Sequence, residues 1–181
     1  MPRIQPVNVE TASPTTVALL DGVKSQMGRV PNIVATMANS EATAKAYLAF
    51  NGALASGNLS RRLREKIALV VAETNDCQYC LSAHSVLAGK AGAKEQEIID
   101  ARQGMATDEK SSAVLSFAKK LVNDRGQISD DDVQQLRDAG WGPGEIAETV
   151  AVVALNIFTN YFNHVAGTEV DFPRVSSAEA A

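Results

Sequence analysis

Cys77 and Cys80, in the stretch 73-ETNDCQYCLSAH-84, are the only cysteines of the chain, and His84 follows four residues after the second. Residues three apart at a helix start lie close in space, so their sulfurs can form a disulfide with little backbone movement. His84 stands one turn beyond Cys80, which puts Cys77, Cys80 and His84 along one stripe of a helix. If Asp76 caps a helix that starts at Cys77, its unpaired N–H groups and dipole favour a thiolate over a thiol. A nucleophilic thiol, a resolving thiol and a proton-handling imidazole are what two-electron peroxide or disulfide chemistry requires. Tyr79 reads as packing; its hydroxyl can donate a hydrogen bond but is no base near neutral pH. Glu73 reads as helix surface.

Other chemistries compete for the same residues. A closed zinc site needs four ligands. Cys77, Cys80 and His84 supply three, and His164, the only other histidine, would have to be the fourth. All three local ligands sit on one short segment, without a second Cys-x-x-Cys, so no metal is expected. A thioredoxin-like motif needs a βαβ context that the chain lacks. Two buried, inert thiols are the bland alternative. His164 itself is either a satisfied interface histidine or a secondary member of the site.

The elements that must position these residues read as helices throughout, with no convincing strand. Ser13-Pro14 opens the first as N-cap and N1 proline, Leu20, Val23 and Met27 keep one face, and Gly28 ends it. A short turn from Pro31 to Met37 leads to a helix over 41–56, with Tyr47, Phe50 and Leu54 on one side. Ser60 caps the next, with Leu63, Ile67, Val70 and Val71 inward, and it runs into the cysteine stretch. Beyond Gly89 and Gly92 come a short helix over 93–101, a long one capped by Thr107, and one capped by Ser129 whose first turn carries Asp130, Asp131 and Asp132. The long helix has Val114, Phe117, Leu121 and Val122 on its buried face. Pro143 opens a final helix to about Val165, apolar on most sides, which predicts a central element or a subunit interface. The charged runs RRLREK and DDD read as solvated faces.

The expected fold class is therefore all-α, one domain of about eight helices. Residues 1–12 form an N-terminal extension, 13–175 the domain, and 176–181 a disordered tail. The 181-residue chain is 45% hydrophobic and 21% charged, with a net charge of −4. It has no basic run, few aromatics, no signal-peptide pattern and no apolar stretch of membrane-spanning length, so neither nucleic acid nor membrane is an expected partner. A reducing, cytoplasmic location is the default, and there a close cysteine pair is more often catalytic than a static crosslink.

The stretch 64-REKIALVVAETNDCQYCLSAHSVLAGKAG-92 resembles the AhpD-like alkylhydroperoxidase branch of the carboxymuconolactone decarboxylase family: an acidic residue on a helix, Cys-x-x-Cys twelve residues on, and His four beyond. The lead-in PNIVATMANS, the segment NIFTNYFNHVAG and the closing VDFPRV are also similar to peroxidase-related members. The resemblance, over residues 14 to 175, implies a helical fold assembling into trimers or hexamers, and peroxide reduction through the cysteine pair. It implies Cys80 as the peroxidatic thiol, Cys77 as the resolving thiol, and His84 with Glu65 as the proton relay. Helix-terminus physics alone favours Cys77 as the thiolate. Some members carry a histidine where this chain has Tyr79, which leaves the relay one imidazole. No cofactor is implied beyond the redox-active Cys77–Cys80 pair. The implied partners are a small organic hydroperoxide, a dithiol protein or lipoyl-type donor, and further copies of the chain. The alternatives are a cofactor-free lyase on a ring carboxylate or lactone, and a non-enzymatic redox-sensing oligomer.

Overall fold

A computed structural model of the chain describes residues 1–177. Among these residues there are nine helices and no strand: α1 (Pro14–Met27), α2 (Asn32–Met37), α3 (Glu41–Ala55), α4 (Arg61–Thr74), α5 (Gln78–Lys90), α6 (Glu95–Arg102), α7 (Glu109–Asn123), α8 (Asp130–Asp138) and α9 (Pro143–Ala166). The ninth is α2, which the sequence presents only as a turn.

Local signals set most boundaries. Ser13 caps α1 by accepting from the Thr16 N–H, Ser60 caps α4 by accepting from Leu63, and Ser129 caps α8 by accepting from Asp132. Gly28 ends α1 at a φ of 77°, a left-handed conformation that favours glycine. Two caps differ from expectation. Asp108, not Thr107, accepts from the Ser111 N–H at the start of α7. Cys77 itself is the N-cap of α5, because Asp76 takes a left-handed turn with φ 50° and so stands outside the helix.

The central helix is α4. Lys66, Ile67, Ala68, Leu69, Val70, Val71 and Ala72 are all buried, seven in succession, while α5, α6, α7 and α9 pack around it. Burial reaches one of its charges: the Lys66 ammonium pairs with Glu97 Oε1 at 2.8 Å, and Arg62 pairs with the other oxygen of that carboxylate. RRLREK is thus not a merely solvated face. Glu73, too, is a half-buried partner, to Arg102 at 2.6 Å, rather than helix surface. Conversely α9 is not enclosed. Val152, Val153, Leu155 and Asn156 turn inward, but Val150, Phe158, Tyr161 and Val165 stand exposed, at 43, 40, 59 and 64%. Met27 and Phe50, expected inward, are exposed as well.

The described segments before α1 and after α9 are both tied to the bundle. Arg3 N–H donates to Ala166 O at 2.7 Å and Val7 N–H to Ala35 O at 3.0 Å, so residues 1–12 lie on the helices. After α9 the chain crosses α2 and α5, with Asp171 paired to Arg29 at 3.0 Å and Val175 N–H donating to Ser82 Oγ at 3.0 Å. Of the predicted tail 176–181, Ser176 O accepts from Arg102 at 2.7 Å and Ser177 is buried, whereas 178–181 lie outside the described residues.

Candidate active site

The three-residue link 75–77 folds α5 back on α4, which sets Glu65 against His84: Oε2 lies 2.7 Å from Nδ1. The pair is half-buried. A carboxylate at Nδ1 holds the ring in one tautomer and leaves Nε2 for a proton.

Four helices each present one face to a cavity of about 560 Å³, three of them as an i, i+3, i+4, i+7 stripe and α3 as i, i+1, i+4, i+7. On α5 the stripe is Cys80, Ala83, His84 and Leu87, and on α4 it is Arg61, Arg64, Glu65 and Ala68. Val152, Leu155, Asn156 and Thr159 of α9 form the third; Tyr47, Leu48, Asn51 and Leu54 of α3 complete it. Tyr79 and Phe172 close the wall, edge to face with ring centroids 5.8 Å apart. The Tyr79 hydroxyl accepts from the Ile33 N–H at 3.3 Å, and burial raises its pKa well above the usual phenol value, which keeps it neutral packing. Cys80, 2% exposed, reaches the cavity; Cys77, 1% exposed, does not line it. The expected stripe thus holds for Cys80 and His84, while Cys77 lies at the helix start beside them.

Both thiols are free in this structure. Cys77 has its pKa lowered from 9.0 to about 7, first because the Cys80 thiol donates to its sulfur, with the Cys80 N–H and the His164 charge adding to this against burial. An N-cap position aims a helix N–H at the side chain, so the same location that caps helices with oxygen here stabilises a thiolate. Cys80 shifts the other way: burial raises it well above 9.0, and the neighbouring Cys77 adds to this. Of the two sulfurs, Cys77 is the one whose surroundings favour the thiolate.

The sequence pattern missed a polar stripe on α9. Asn156, Thr159, Asn160 and Asn163 are all buried on an otherwise apolar helix. Asn163 Nδ2 donates to Cys80 Sγ at 3.2 Å, Thr159 Oγ1 lies 4.0 Å from the same sulfur, and Asn160 Oδ1 accepts from Asn75 at 3.0 Å. Amides at i, i+4 and i+7 within an apolar run were a readable signal, since buried polar groups need partners. His164 is exposed, with Nε2 2.9 Å from Asn75 O on the Cys77 side, away from the cavity. Among the described residues no three metal-ligating side chains come together.

The description of the carboxymuconolactone decarboxylase family matches residues 41–124, the segment that holds Glu65, both cysteines and His84. Solved structures extend the likeness over the whole fold. An AhpD-core, peroxidase-related protein from Ralstonia eutropha JMP134 is 21% identical, with a TM-score of 0.85 over 94% of this chain and 92% of that one. A peroxidase-related protein from Silicibacter sp. TM1040 is 23% identical, with a TM-score of 0.79 over 98% and 94%. A debrominase solved in complex with 2,3,4-tribromopyrrole is 18% identical, with a TM-score of 0.79 over 93% and 91%. No curated protein matches the chain. Residues 41–124 thus carry the likeness to the carboxymuconolactone decarboxylase family, and the chain as a whole has the AhpD-like fold.

Proposed function

We propose that the protein is a thiol peroxidase that reduces small organic hydroperoxides and is recycled by a dithiol protein or lipoyl-type donor. The observation that carries this is an apolar cavity that ends on Cys80 and holds the Glu65–His84 pair. His84 Nε2 takes the Cys80 proton, and the Glu65 carboxylate stabilises the imidazolium. The Cys80 thiolate attacks the terminal peroxide oxygen, the O–O bond breaks, and the alkoxide leaves as alcohol with the proton of His84. Cys80 is then a sulfenic acid. The Cys77 thiolate attacks its sulfur, a hydroxide departs and takes one proton from solvent as water, and the disulfide forms. The thiol pair loses two electrons and the peroxide gains them. The external dithiol returns them by exchange, in a cytoplasmic, reducing setting.

The low pKa of Cys77 suits the resolving step, and burial of Cys80 confines attack to molecules that enter the cavity. We further propose that the exposed apolar stripe of α9 is covered by other copies of the chain, as a trimer or hexamer. A second reading is reductive removal of halogen from a ring: two thiols and a carbon–bromine bond give a disulfide, a carbon–hydrogen bond and hydrogen bromide. The ring-lined cavity and the shared fold of the debrominase favour including it. The deciding experiment measures peroxide consumption with dithiothreitol beside bromide release and lactone decarboxylation. Peroxide turnover that persists unchanged in Cys80→Ser would sink the peroxidase; turnover of the ring substrates alone would favour the alternatives.

A further inference from the structure

The first turn of α4 is built against the usual electrostatic preference. It holds Arg61, Arg62 and Arg64 and no acidic residue, although a helix start favours anions over cations. Arg62 has a reason to be there, its pairing with Glu97. Arg61 and Arg64 do not share it. Among the described residues the exposed Arg61 side chain makes no hydrogen bond or ion pair, and Arg64 donates only to the backbone Leu59 O. The acid whose pKa Arg64 helps to lower, Glu148, is committed to the Asn58 and Leu59 N–H groups at 2.8 and 3.0 Å. Glu65, next in the chain, is committed to His84. Both arginines nevertheless line the same cavity as Cys80.

We propose that Arg61 and Arg64 form an anion subsite at the mouth of this cavity, so that its ligands are amphipathic carboxylates whose apolar body runs toward Cys80. The proposal deepens the peroxidase reading and rests on it for the chemistry at the sulfur: the substrate class becomes hydroperoxides of apolar carboxylic acids. The geometry also sets a length. Arg61 stands one turn before Glu65 on α4, and His84 one turn beyond Cys80 on α5, with Glu65 and His84 in contact between them. At a rise of about 1.5 Å per residue the two turns offset the backbone positions of Arg61 and Cys80 by about 12 Å along the paired helices, a span on the order of a saturated chain of about ten carbons. Guanidinium groups suit the head because they bind carboxylates through two parallel N–H donors. The wall between includes Leu48, Leu54, Ala68, Ala83 and Leu87, which offer the chain apolar contacts beside the Glu65–His84 pair and the amides of Asn51 and Asn156.

The test is calorimetric titration of the reduced protein with decanoate and with 1-decanol, which share the chain and differ in the head. Decanoate should bind about tenfold tighter or more at low salt, as expected for a charge-assisted pair, and the preference should shrink as salt rises. In Arg61→Gln/Arg64→Gln the two ligands should bind alike. Arg61→Gln alone should lose at least about threefold of the preference; its side chain holds no structural bond, so this variant stays informative should the double one misfold. Equal binding by the native protein, or a preference that survives Arg61→Gln undiminished, would overturn the subsite. Binding needs no turnover, so the outcomes separate. A protein that prefers decanoate but consumes no peroxide upholds the subsite and sinks the peroxidase, whereas peroxide turnover without the preference does the reverse.

Discussion

The two sulfurs differ because Cys77 stands at the N-cap position of α5 and Cys80 one turn inside it, facing the cavity. Cys77 receives a hydrogen bond from the Cys80 thiol, and removal of that donor in Cys80→Ala should raise the Cys77 titration from about 7 toward its ordinary 9.0, by the order of a unit. Ultraviolet thiolate absorbance against pH reads this directly; an unmoved midpoint would break the proposed coupling. The sign carries over to turnover. Resolution needs the deprotonated Cys77, so where resolution limits the rate, turnover should rise through pH 7 and level above it, and fall about tenfold per unit below. Asn163 donates to Cys80 Sγ, so Asn163→Ala should lower kcat/KM for peroxide by about tenfold, the worth of one hydrogen bond to a charged group, with KM little changed. Glu65→Gln keeps the shape and loses the charge that stabilises the imidazolium. A fall of about a hundredfold or more in kcat is expected, in the range of general acid–base contributions.

At the scale of elements, α4 takes the central place that composition offers to α9, and α9 keeps an open apolar face, the other place its composition suggests. The apolar α9 leaves one stripe in the open, and the charged start of α4 leads into the most buried segment of the fold. Leu69→Ala, at 0% exposure, should cost about 2–5 kcal/mol of stability through lost burial and a residual cavity. Phe158→Ala, on the exposed stripe, should stay within about 0.5 kcal/mol in the isolated chain. Urea unfolding of the two variants side by side distinguishes the helices; similar losses would mean that α9 is enclosed as deeply as α4.

For the whole molecule, Phe158, Tyr161 and Val165 follow one another along a single face of α9. Exposed apolar residues in a contiguous row mark an interaction surface rather than an ordinary one. Tyr161→Glu should therefore shift the protein to a smaller species in analytical ultracentrifugation while its helical signal is kept. A native protein that already sediments as a monomer would refute self-association through α9. The described residues contain no helix long and apolar enough to cross a membrane.

Several features were legible without any structure. Cap residues and glycines state where α1, α4 and α8 begin and α1 ends, because capping is a local exchange of hydrogen bonds. Cys77, Cys80 and His84 lie within eight residues, so helix geometry alone puts their side chains near each other. Their roles in the proposed reaction are another matter. Which sulfur meets the cavity depends on how α9 and α3 close over α5, and which one carries charge depends on a one-residue shift of the α5 start caused by the left-handed turn at Asp76. The amides of α9 and the arginines of α4 were visible as residue types, but their meaning comes from neighbours 83 residues away in one case and from a cavity shared by four helices in the other. Local hydrogen bonding and helix periodicity belong to the sequence by itself. Burial, and with it the electrostatics of a thiol, belongs to the packing of distant segments, and only the tertiary structure decided it.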